Sequence, residues 1–197
     1  TNPPVASGDG LAMAVRAGAT SKDMAFFQFH PTALMAGNSR PFLITEALRG
    51  EGGVLLDDKG LNAYRIGDLR PEDYSFTLDF SPDGSLATRD VVARACDQRM
   101  KISGADYVWL ITDHLDKEEL HSHFPTIESK LNEYALSLGE DPLPVAPAAH
   151  YMVGGLSVDI HGRVLMANDS PIPGLYGIGE VACTGMHGAN RLASNSL

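Results

Sequence analysis

GLYGIGEVACTGMHGANRLASNSL, residues 174–197, is the stretch of this sequence that decides its fold. A short apolar run at 175–178 leads to Glu180, and a loop dense in small residues follows, holding Arg191. A buried strand that delivers one carboxylate ahead of glycine-rich backbone is typical of a site for a large flat ligand, because glycine permits close approach. Glu180 is expected to accept hydrogen bonds from ribose hydroxyls, and Arg191 to pair with a carboxylate. The last residues look like the start of a helix, so we expect the chain to be an internal fragment.

Composition and charge limit the class of protein. The chain has 197 residues, of which 44% are hydrophobic and 20% charged, as in an ordinary globular protein with a buried core. Its net charge of -10 argues against nucleic-acid binding. No apolar run is long enough to span a membrane and no signal-peptide pattern is present. We therefore expect a cytoplasmic protein with neither a membrane nor a nucleic-acid partner.

The cysteines and histidines do not have the spacing of a metal site. Cys96 and Cys183 lie far apart, which fits buried or incidental thiols in a reducing compartment. His114, His121 and His123 form the best candidate for a metal site, but solvated histidines on an acidic face explain them more simply. No metal is expected.

Hydrophobic periodicity and capping residues predict mixed helices and strands, the α+β fold class. Helices are expected at 9–18, 41–48, 88–100, just after Asp116, and at 126–138. Strands are expected at 24–30 (closed by Pro31), at 54–56, at 107–111 and in a hairpin over 151–165. Residues 57–60 predict a turn, and residues 61–85, which have little periodicity, extend it into a long surface loop over 57–85. The proline-rich segment 141–147 predicts a linker.

The order of these elements predicts a domain organisation. A central α+β block, residues 26–149, is flanked by two pieces rich in glycine and small residues, 1–25 and 150–197. Flanking pieces that pair in space are how one domain is inserted into another. We therefore expect the two flanks to form one domain and the block between them a second.

Five polar side chains are candidates for a binding site, because each is expected at the end of an element among small residues: His30, Thr45, Arg89, His150 and Arg191. Two arginines, two histidines and a hydroxyl would suit a small dicarboxylate. Arg89 is expected at a helix N-terminus, where unpaired N–H groups prefer anions. Taken singly, each has an ordinary explanation as a structural histidine or a surface ion pair.

Five motifs in one order carry a resemblance to a known family: QFHPT (28–32), LITEALRGEG (43–52), ATRDVVAR (87–94), PAAHY with a following GG (147–151 and 154–155), and GMHGANRLASNSL (185–197). Together they closely resemble the flavoprotein family of succinate dehydrogenase, fumarate reductase and L-aspartate oxidase, over nearly the whole chain. Ala193-Ser194, where the succinate dehydrogenase branch tends to carry Gly-Gly, favours the L-aspartate oxidase branch.

The resemblance implies roles for residues at matching positions. His30, Thr45, His150 and Arg191 would hold the two carboxylates of the substrate. Arg89 would handle the proton at the substrate's C3, and Glu46 and Arg49 would relay it. The residues that would contact non-covalently bound FAD are Asp9, Glu180, Ser196 and Leu197.

The resemblance also implies a fold and a reaction. Residues 26–149 would be the capping domain, and 1–25 and 150–197 two parts of the FAD-binding α/β domain. The whole protein would oxidise L-aspartate to iminoaspartate in NAD biosynthesis, with oxygen or fumarate as acceptor and with quinolinate synthase as a possible partner. The alternatives are a fumarate reductase or succinate dehydrogenase flavoprotein subunit, or a non-catalytic module.

The sequence departs from the family in several places. Thr88 stands where the family usually has proline, and residues 57–85 lack the usual Arg-Phe-Met run. The family's Gly-x-Gly-x-x-Gly loop, which holds a dinucleotide pyrophosphate, is absent. We therefore expect the 197-residue chain alone to bind FAD weakly and to be inactive.

Overall fold

The computed structural model describes residues 2–37, 40–188, 190–192 and 195, and within them helices and strands are mixed, as the α+β prediction requires. The helices are α1 (Asp9–Arg16), α2 (Ala47–Gly50), α3 (Asp58–Ile66), α4 (Arg89–Ser103), α5 (Lys117–His123) and α6 (Pro125–Asn132). The strands are β1 (Ser21–Lys22), β2 (Phe27–Leu34), β3 (Val54–Leu56), β4 (Val108–Ile111), β5 (Leu143–Met152), β6 (Gly155–Ser157), β7 (Arg163–Leu165), β8 (Pro171–Tyr176) and β9 (Ala182–Cys183). Short 3-10 helices lie at Pro71–Tyr74, Phe76–Asp79, Gly84–Leu86 and Gly179–Val181.

The chain divides into two compact units. The central unit comprises residues 30–148, and the flanking unit comprises residues 2–29 together with 149–197. The chain leaves one unit for the other within β2 and returns within β5.

A four-stranded sheet, in the order β2-β5-β4-β3, carries the core of the central unit. β3 and β4 are antiparallel with Leu55 opposite Leu110, and β4 and β5 are antiparallel with Val108 opposite Val145. β3 and β4 are short, continuous apolar runs, which is the pattern of strands buried on both faces. Buried residues of α4, α5 and α6 join them in one hydrophobic cluster.

Three buried hydroxyl groups satisfy the outward-facing backbone groups of Leu55 at the edge of β3. The Leu55 N–H donates to Ser85 Oγ at 3.0 Å, and Ser75 Oγ donates to the Leu55 carbonyl at 2.7 Å. Thr77 Oγ1 lies 2.7 Å from Ser75 Oγ and 3.3 Å from Ser85 Oγ. Since Ser75 already donates to Leu55, Thr77 donates to Ser75 and Ser85 donates to Thr77. The result is a closed hydroxyl ring in which each of these donors and acceptors is satisfied.

This ring overturns the prediction of a surface loop at 57–85. The segment contains α3 and three 3-10 helices, and Leu61, Ser75, Phe76 and Thr77 are buried. Asp57 caps α3 by accepting from the Gly60 N–H at 2.7 Å, where we had predicted a turn. The prediction failed because short 3-10 helices have no 3.6-residue period. Hydroxyl groups also attach the segment to the sheet, alongside the buried apolar side chains of Leu61 and Phe76.

Replacing Ser85 with alanine should therefore destabilise the protein by about 1–3 kcal/mol, because it leaves the buried Leu55 N–H without an acceptor. The Ser85 carbonyl is unchanged, so its own contacts persist. Urea unfolding of the Ser85→Ala protein, compared with the exposed helical variant Ser122→Ala, measures this difference. Equal midpoints for the two variants would contradict a stabilising role for the ring.

Two predictions made from proline residues were wrong. β2 does not end at Pro31 but continues to Leu34, so His30 lies inside the strand and not at its end. β2 stands at the end of the sheet order, where a residue without an N–H is tolerated. The predicted linker 141–147 is instead the first part of β5. Pro144 lacks a donor there, but its carbonyl accepts from the Met35 N–H at 2.8 Å.

Two predicted helices are shorter than expected. At 41–48 the chain is first extended and bonds to β2, with the Ile44 N–H donating to the Thr32 carbonyl at 3.0 Å, and only Ala47–Gly50 is helical. The helix expected at 126–138 ends at Asn132, although Leu138 is still buried. The predictions of β3, β4, α4 and the Asp116-capped α5 are confirmed.

The flanking unit has a smaller sheet. β1 pairs antiparallel with β6, and β6 pairs parallel with β9, while β7 and β8 form a separate two-stranded sheet. β6 therefore lies between the other two strands. Of the hairpin predicted over 151–165, the turn at 159–162 is present, with Val158 bridged antiparallel to Val164, but β6 pairs with β1 and β9. A Cβ on Gly154 would lie 2.3 Å from the Asp23 carbonyl oxygen, and one on Gly155 would lie 2.5 Å from that of Val181. Only glycine lets these backbones approach so closely.

Candidate functional site

The central unit places one carboxylate between two arginines. Arg89 Nε donates to Glu46 Oε2 at 2.5 Å, and Arg49 Nη2 lies 3.7 Å from Glu46 Oε1. Arg49 is 1% exposed and Arg89 7%, whereas the Glu46 side chain is 36% exposed. Glu46 thus contacts two buried guanidinium groups while its own side chain remains partly exposed to solvent.

Local structure explains how these side chains meet. Arg89 is the first residue of α4, as the sequence predicted, and Glu46 directly precedes α2, which carries Arg49. Thr45 is exposed, and its Oγ1 accepts from the Ala47 N–H at 3.3 Å at the start of that helix. Thr88 Oγ1 donates to Asp90 at 2.7 Å and makes no capping bond.

Arg49 is held in place by carbonyl oxygens. Its Nη1 donates to the Ser85 carbonyl and, at 3.4 Å, to the Ala87 carbonyl. Burial lowers the pKa of the Arg49 guanidinium, and the charge of Arg89 lowers it further, while Glu46 acts in the opposite direction. Burial therefore weakens the hold of Arg49 on its proton, which is the direction that a proton relay requires.

The thiol of Cys96 lies in the core beneath this cluster. Burial raises its pKa to about 12, and the charge of Arg49 opposes the rise only in part. Above the unfolded pKa of about 8.5 the unfolded chain loses this proton while the folded chain keeps it. The unfolded state then binds fewer protons, so the stability present below that pH is lost as pH rises toward 12.

The free energy of unfolding should therefore fall between pH 9 and pH 11, with a contribution from Cys96 approaching about 1.4 kcal/mol per pH unit. In Cys96→Ala that contribution should be absent. The cavity left by alanine lowers stability equally at every pH, so the slope isolates the thiol. Urea unfolding at pH 8, 9, 10 and 11 provides the measurement, and identical slopes for both proteins would refute the assignment.

His30 is buried within β2, where its Nδ1 accepts from the Thr32 N–H at 3.3 Å. A neutral ring that accepts at Nδ1 carries its proton on Nε2. His30 can therefore present an N–H donor, which suits a carboxylate. Its role in binding substrate stays a prediction, as does that of Thr45.

In the flanking unit, the guanidinium of Arg191 contacts both polar and aromatic groups. Its Nη2 lies 3.2 Å from His150 Nε2, its Nη1 donates to the Leu192 carbonyl at 3.0 Å, and its Cζ stands 4.3 Å from the centre of the Tyr151 ring. Arg191 is 3% exposed. Two of the residues predicted to bind substrate, His150 and Arg191, are thus in direct contact.

Two neighbours of Arg191 were not predicted as functional residues. Gln28 Nε2 donates to the Arg191 carbonyl and to Asn190 Oδ1, each at 2.6 Å. The Tyr151 ring packs against Arg191 on its face and meets His187 edge-on, at 5.8 Å and 89°. Both belong to the quoted motifs QFHPT and PAAHY, but nothing in the spacing indicated that they contact Arg191.

A cleft of about 650 Å³ in the flanking unit includes Asp9 and Glu180 among its lining residues. The remaining wall is formed largely by residues 2–11 and by Gly154 and Gly155. Glu180 Oε1 accepts from the Met152 N–H at 2.9 Å, which fixes its carboxylate at the rim. Two carboxylates beside glycine-rich backbone fit the ribose and ribityl hydroxyls of a dinucleotide such as FAD, which need acceptors. Ser196 and Leu197 lie outside the described residues.

Among residues 2–37, 40–188, 190–192 and 195, no group of three or more histidine, cysteine, aspartate or glutamate side chains could hold a metal ion. No helix in the part of the chain that the structure describes is long and apolar enough to cross a membrane.

The chain is similar to known flavoproteins along its whole length. A family model described as an FAD binding domain matches residues 1–197. L-aspartate oxidases from Yersinia pestis and Pseudomonas aeruginosa are 48% and 46% identical to all of this chain, which covers 33% of each. A mutated quinol fumarate reductase from E. coli matches all of the chain with a TM-score of 0.78 and 33% identity, again over 33% of that protein. The chain therefore spans about a third of the length of the curated relatives it matches.

Proposed function

The chain belongs to the FAD binding domain family, and from that premise we propose that it is the substrate-binding part of an FAD-dependent L-aspartate oxidase. The central unit is then the capping domain, and the flanking unit contributes part of the FAD-binding domain. The whole protein would convert L-aspartate to iminoaspartate in the cytoplasm and pass it to quinolinate synthase in NAD biosynthesis. Identities of 46–48% to L-aspartate oxidases support this reading.

FAD, when bound, supplies the acceptor for a hydride from C2 of the substrate. Asp9 and Glu180 would hold its hydroxyls in the flanking-unit cleft, and Ser196 and Leu197 would contribute further contacts. These assignments rest on the acceptor chemistry of the cleft and on the matching sequence motifs. The lining of the cleft by both carboxylates supports the pair Asp9 and Glu180.

The substrate's two carboxylates would be bound by His30, Thr45, His150 and Arg191. Arg191 supplies a planar fork of donors that matches a carboxylate, and His150 beside it adds a further polar group. His30 and Thr45 supply an imidazole and a hydroxyl of the central unit. Such a set selects dicarboxylates over monocarboxylates, because a single carboxylate leaves half of the donors unpaired.

Proton transfer is the part of the reaction that Arg89, Glu46 and Arg49 would perform. The observation that carries this proposal is the 2.5 Å bond from Arg89 Nε to Glu46 Oε2, with Arg49 on the other oxygen. When fumarate is the acceptor, its reduction to succinate requires a proton at C3, and Arg89 would donate it and recover it through Glu46. Oxidation of aspartate to iminoaspartate removes its proton from the amino group and needs none at C3.

The test is an assay of the full-length protein with FAD. L-aspartate in air should yield hydrogen peroxide and iminoaspartate, and fumarate should replace oxygen under anaerobic conditions. A protein that forms no peroxide from L-aspartate but oxidises succinate with an artificial dye would instead be a succinate dehydrogenase or fumarate reductase subunit. The 33% identity to the fumarate reductase makes that the second candidate.

A further inference from the structure

Tyr151 stands between two other polar side chains of the flanking unit. It is 3% exposed and lies on β5, and the Arg191 guanidinium is 4.3 Å from its ring centre. The ring of His187 meets Tyr151 at 5.8 Å with the planes at 89°. The tyrosine ring is therefore fixed by packing, and its face is occupied by a cation.

This arrangement restricts the guanidinium in two ways. The face of an aromatic ring carries negative charge and attracts a cation, most strongly where water is excluded. The hydrogen bonds from Arg191 to His150 Nε2 and to the Leu192 carbonyl fix the orientation of the guanidinium over the ring. An unrestrained arginine side chain samples many rotamers, and it must lose part of this freedom when it binds a ligand.

Gln28 restrains the backbone of the same residue. Its Nε2 bonds the Arg191 carbonyl and Asn190 Oδ1 at 2.6 Å each, and Gln28 itself is buried in β2. Arg191 lies beyond β9 and is itself in neither a helix nor a strand. Loops of this kind are mobile unless they are bonded to a rigid element, and β2 supplies that element.

We propose that Tyr151 and Gln28 are positioning residues that hold Arg191 in the orientation in which it receives a substrate carboxylate. The inference rests on the proposed function, since it takes Arg191 as a carboxylate ligand. In this role both residues act through Arg191. They remove the cost of ordering Arg191 before the ligand arrives, so their loss weakens binding without altering the chemistry of the bound complex.

Two variants of the full-length protein separate positioning from simple stability. Tyr151→Leu should bind malonate, an unreactive dicarboxylate, about tenfold more weakly in isothermal titration calorimetry, because leucine offers no charged face. Tyr151→Phe keeps the ring and should bind within twofold of the unaltered protein. Tyr176→Leu, an exposed tyrosine of the same unit, serves as the matched control and should have no effect. Turnover of Tyr151→Leu should show a raised KM with little change in kcat.

If the Tyr151→Leu protein does not fold, Gln28→Met tests the same inference. The Gln28→Met protein should bind malonate about three- to tenfold more weakly than the unaltered protein. Malonate binding by Tyr151→Leu within twofold of the unaltered protein would overturn the proposal.

A second measurement is independent of substrate. In protein labelled with ¹⁵N-arginine, the Arg191 Nε–Hε signal, assigned by its loss in Arg191→Lys, should be shifted by the Tyr151 ring. It should retain that shift in Tyr151→Phe and lose it in Tyr151→Leu. If no dicarboxylate binds to any variant, the proposed function fails, while this signal still decides whether Tyr151 orders Arg191. An unchanged signal in Tyr151→Leu would refute the positioning role.

Discussion

Arg89→Gln is expected to lower fumarate reduction by the full-length protein by about 10²–10⁴-fold, the range that a positioned proton donor contributes. Glutamine carries no ionisable group, and its side chain is too short to keep the 2.5 Å bond from Arg89 Nε to Glu46. The loss should appear in kcat at saturating fumarate, measured anaerobically with a reduced dye as electron source.

Arg94→Gln provides the control for Arg89→Gln. Arg94 lies on the same helix, pairs with Asp90 four residues earlier, and is largely exposed. Its replacement should leave kcat within twofold. Equal activity of the Arg89→Gln and Arg94→Gln proteins would remove Arg89 from the proton-transfer role.

Glu46→Gln is expected to lower fumarate reduction by a similar factor, about 10²–10⁴-fold, but for a narrower reason. An amide oxygen still accepts the N–H of Arg89, so the arginine stays in place, but an amide cannot carry a proton. The KM for fumarate should therefore change little while kcat falls. Oxygen-dependent oxidation of L-aspartate should fall far less, because that half of the reaction needs no proton at C3.

The comparison of the two acceptors makes the Glu46→Gln experiment selective. Glu51→Gln is the matched control, since Glu51 is half-exposed and its carboxylate approaches His123. Loss of aspartate oxidation and fumarate reduction by the same factor would indicate that Glu46 supports the site as a whole. Such a result would argue against a proton relay.

The sequence predicted those elements whose signals are local. α4 has an apolar stripe and ends at Gly104, and β3 and β4 are unbroken apolar runs, so they were recognised. Prediction from the sequence failed where the effect of a residue on secondary structure depends on its place in a sheet. The sequence predicts that Pro31 ends a strand and that Pro144 lies in a linker. In the structure Pro31 lies within β2, at the end of the sheet order, and the carbonyl of Pro144 in β5 accepts a hydrogen bond.

The candidate site likewise has features that the sequence predicts and features that it does not. Its residue types and the place of Arg89 at the start of α4 could be read from motifs and capping patterns. The contact of Glu46 with Arg89, 43 residues apart, could not, because it depends on how two helix starts meet. The stacking of Arg191 on Tyr151 depends likewise on the path of a loop without periodicity. Their functional roles remain proposals.

The hydroxyl ring on β3 has a consequence for the behaviour of this protein in concentrated solution. An outer strand with free N–H and carbonyl groups recruits strands from other molecules and so starts aggregation. At Leu55 both groups are already occupied by Ser85 and Ser75, which stand where a neighbouring strand would bind. Loss of these serines would expose Val54-Leu55-Leu56, an apolar β-prone run, to self-association. The segment at 57–85 thus protects the solubility of the protein as well as its fold.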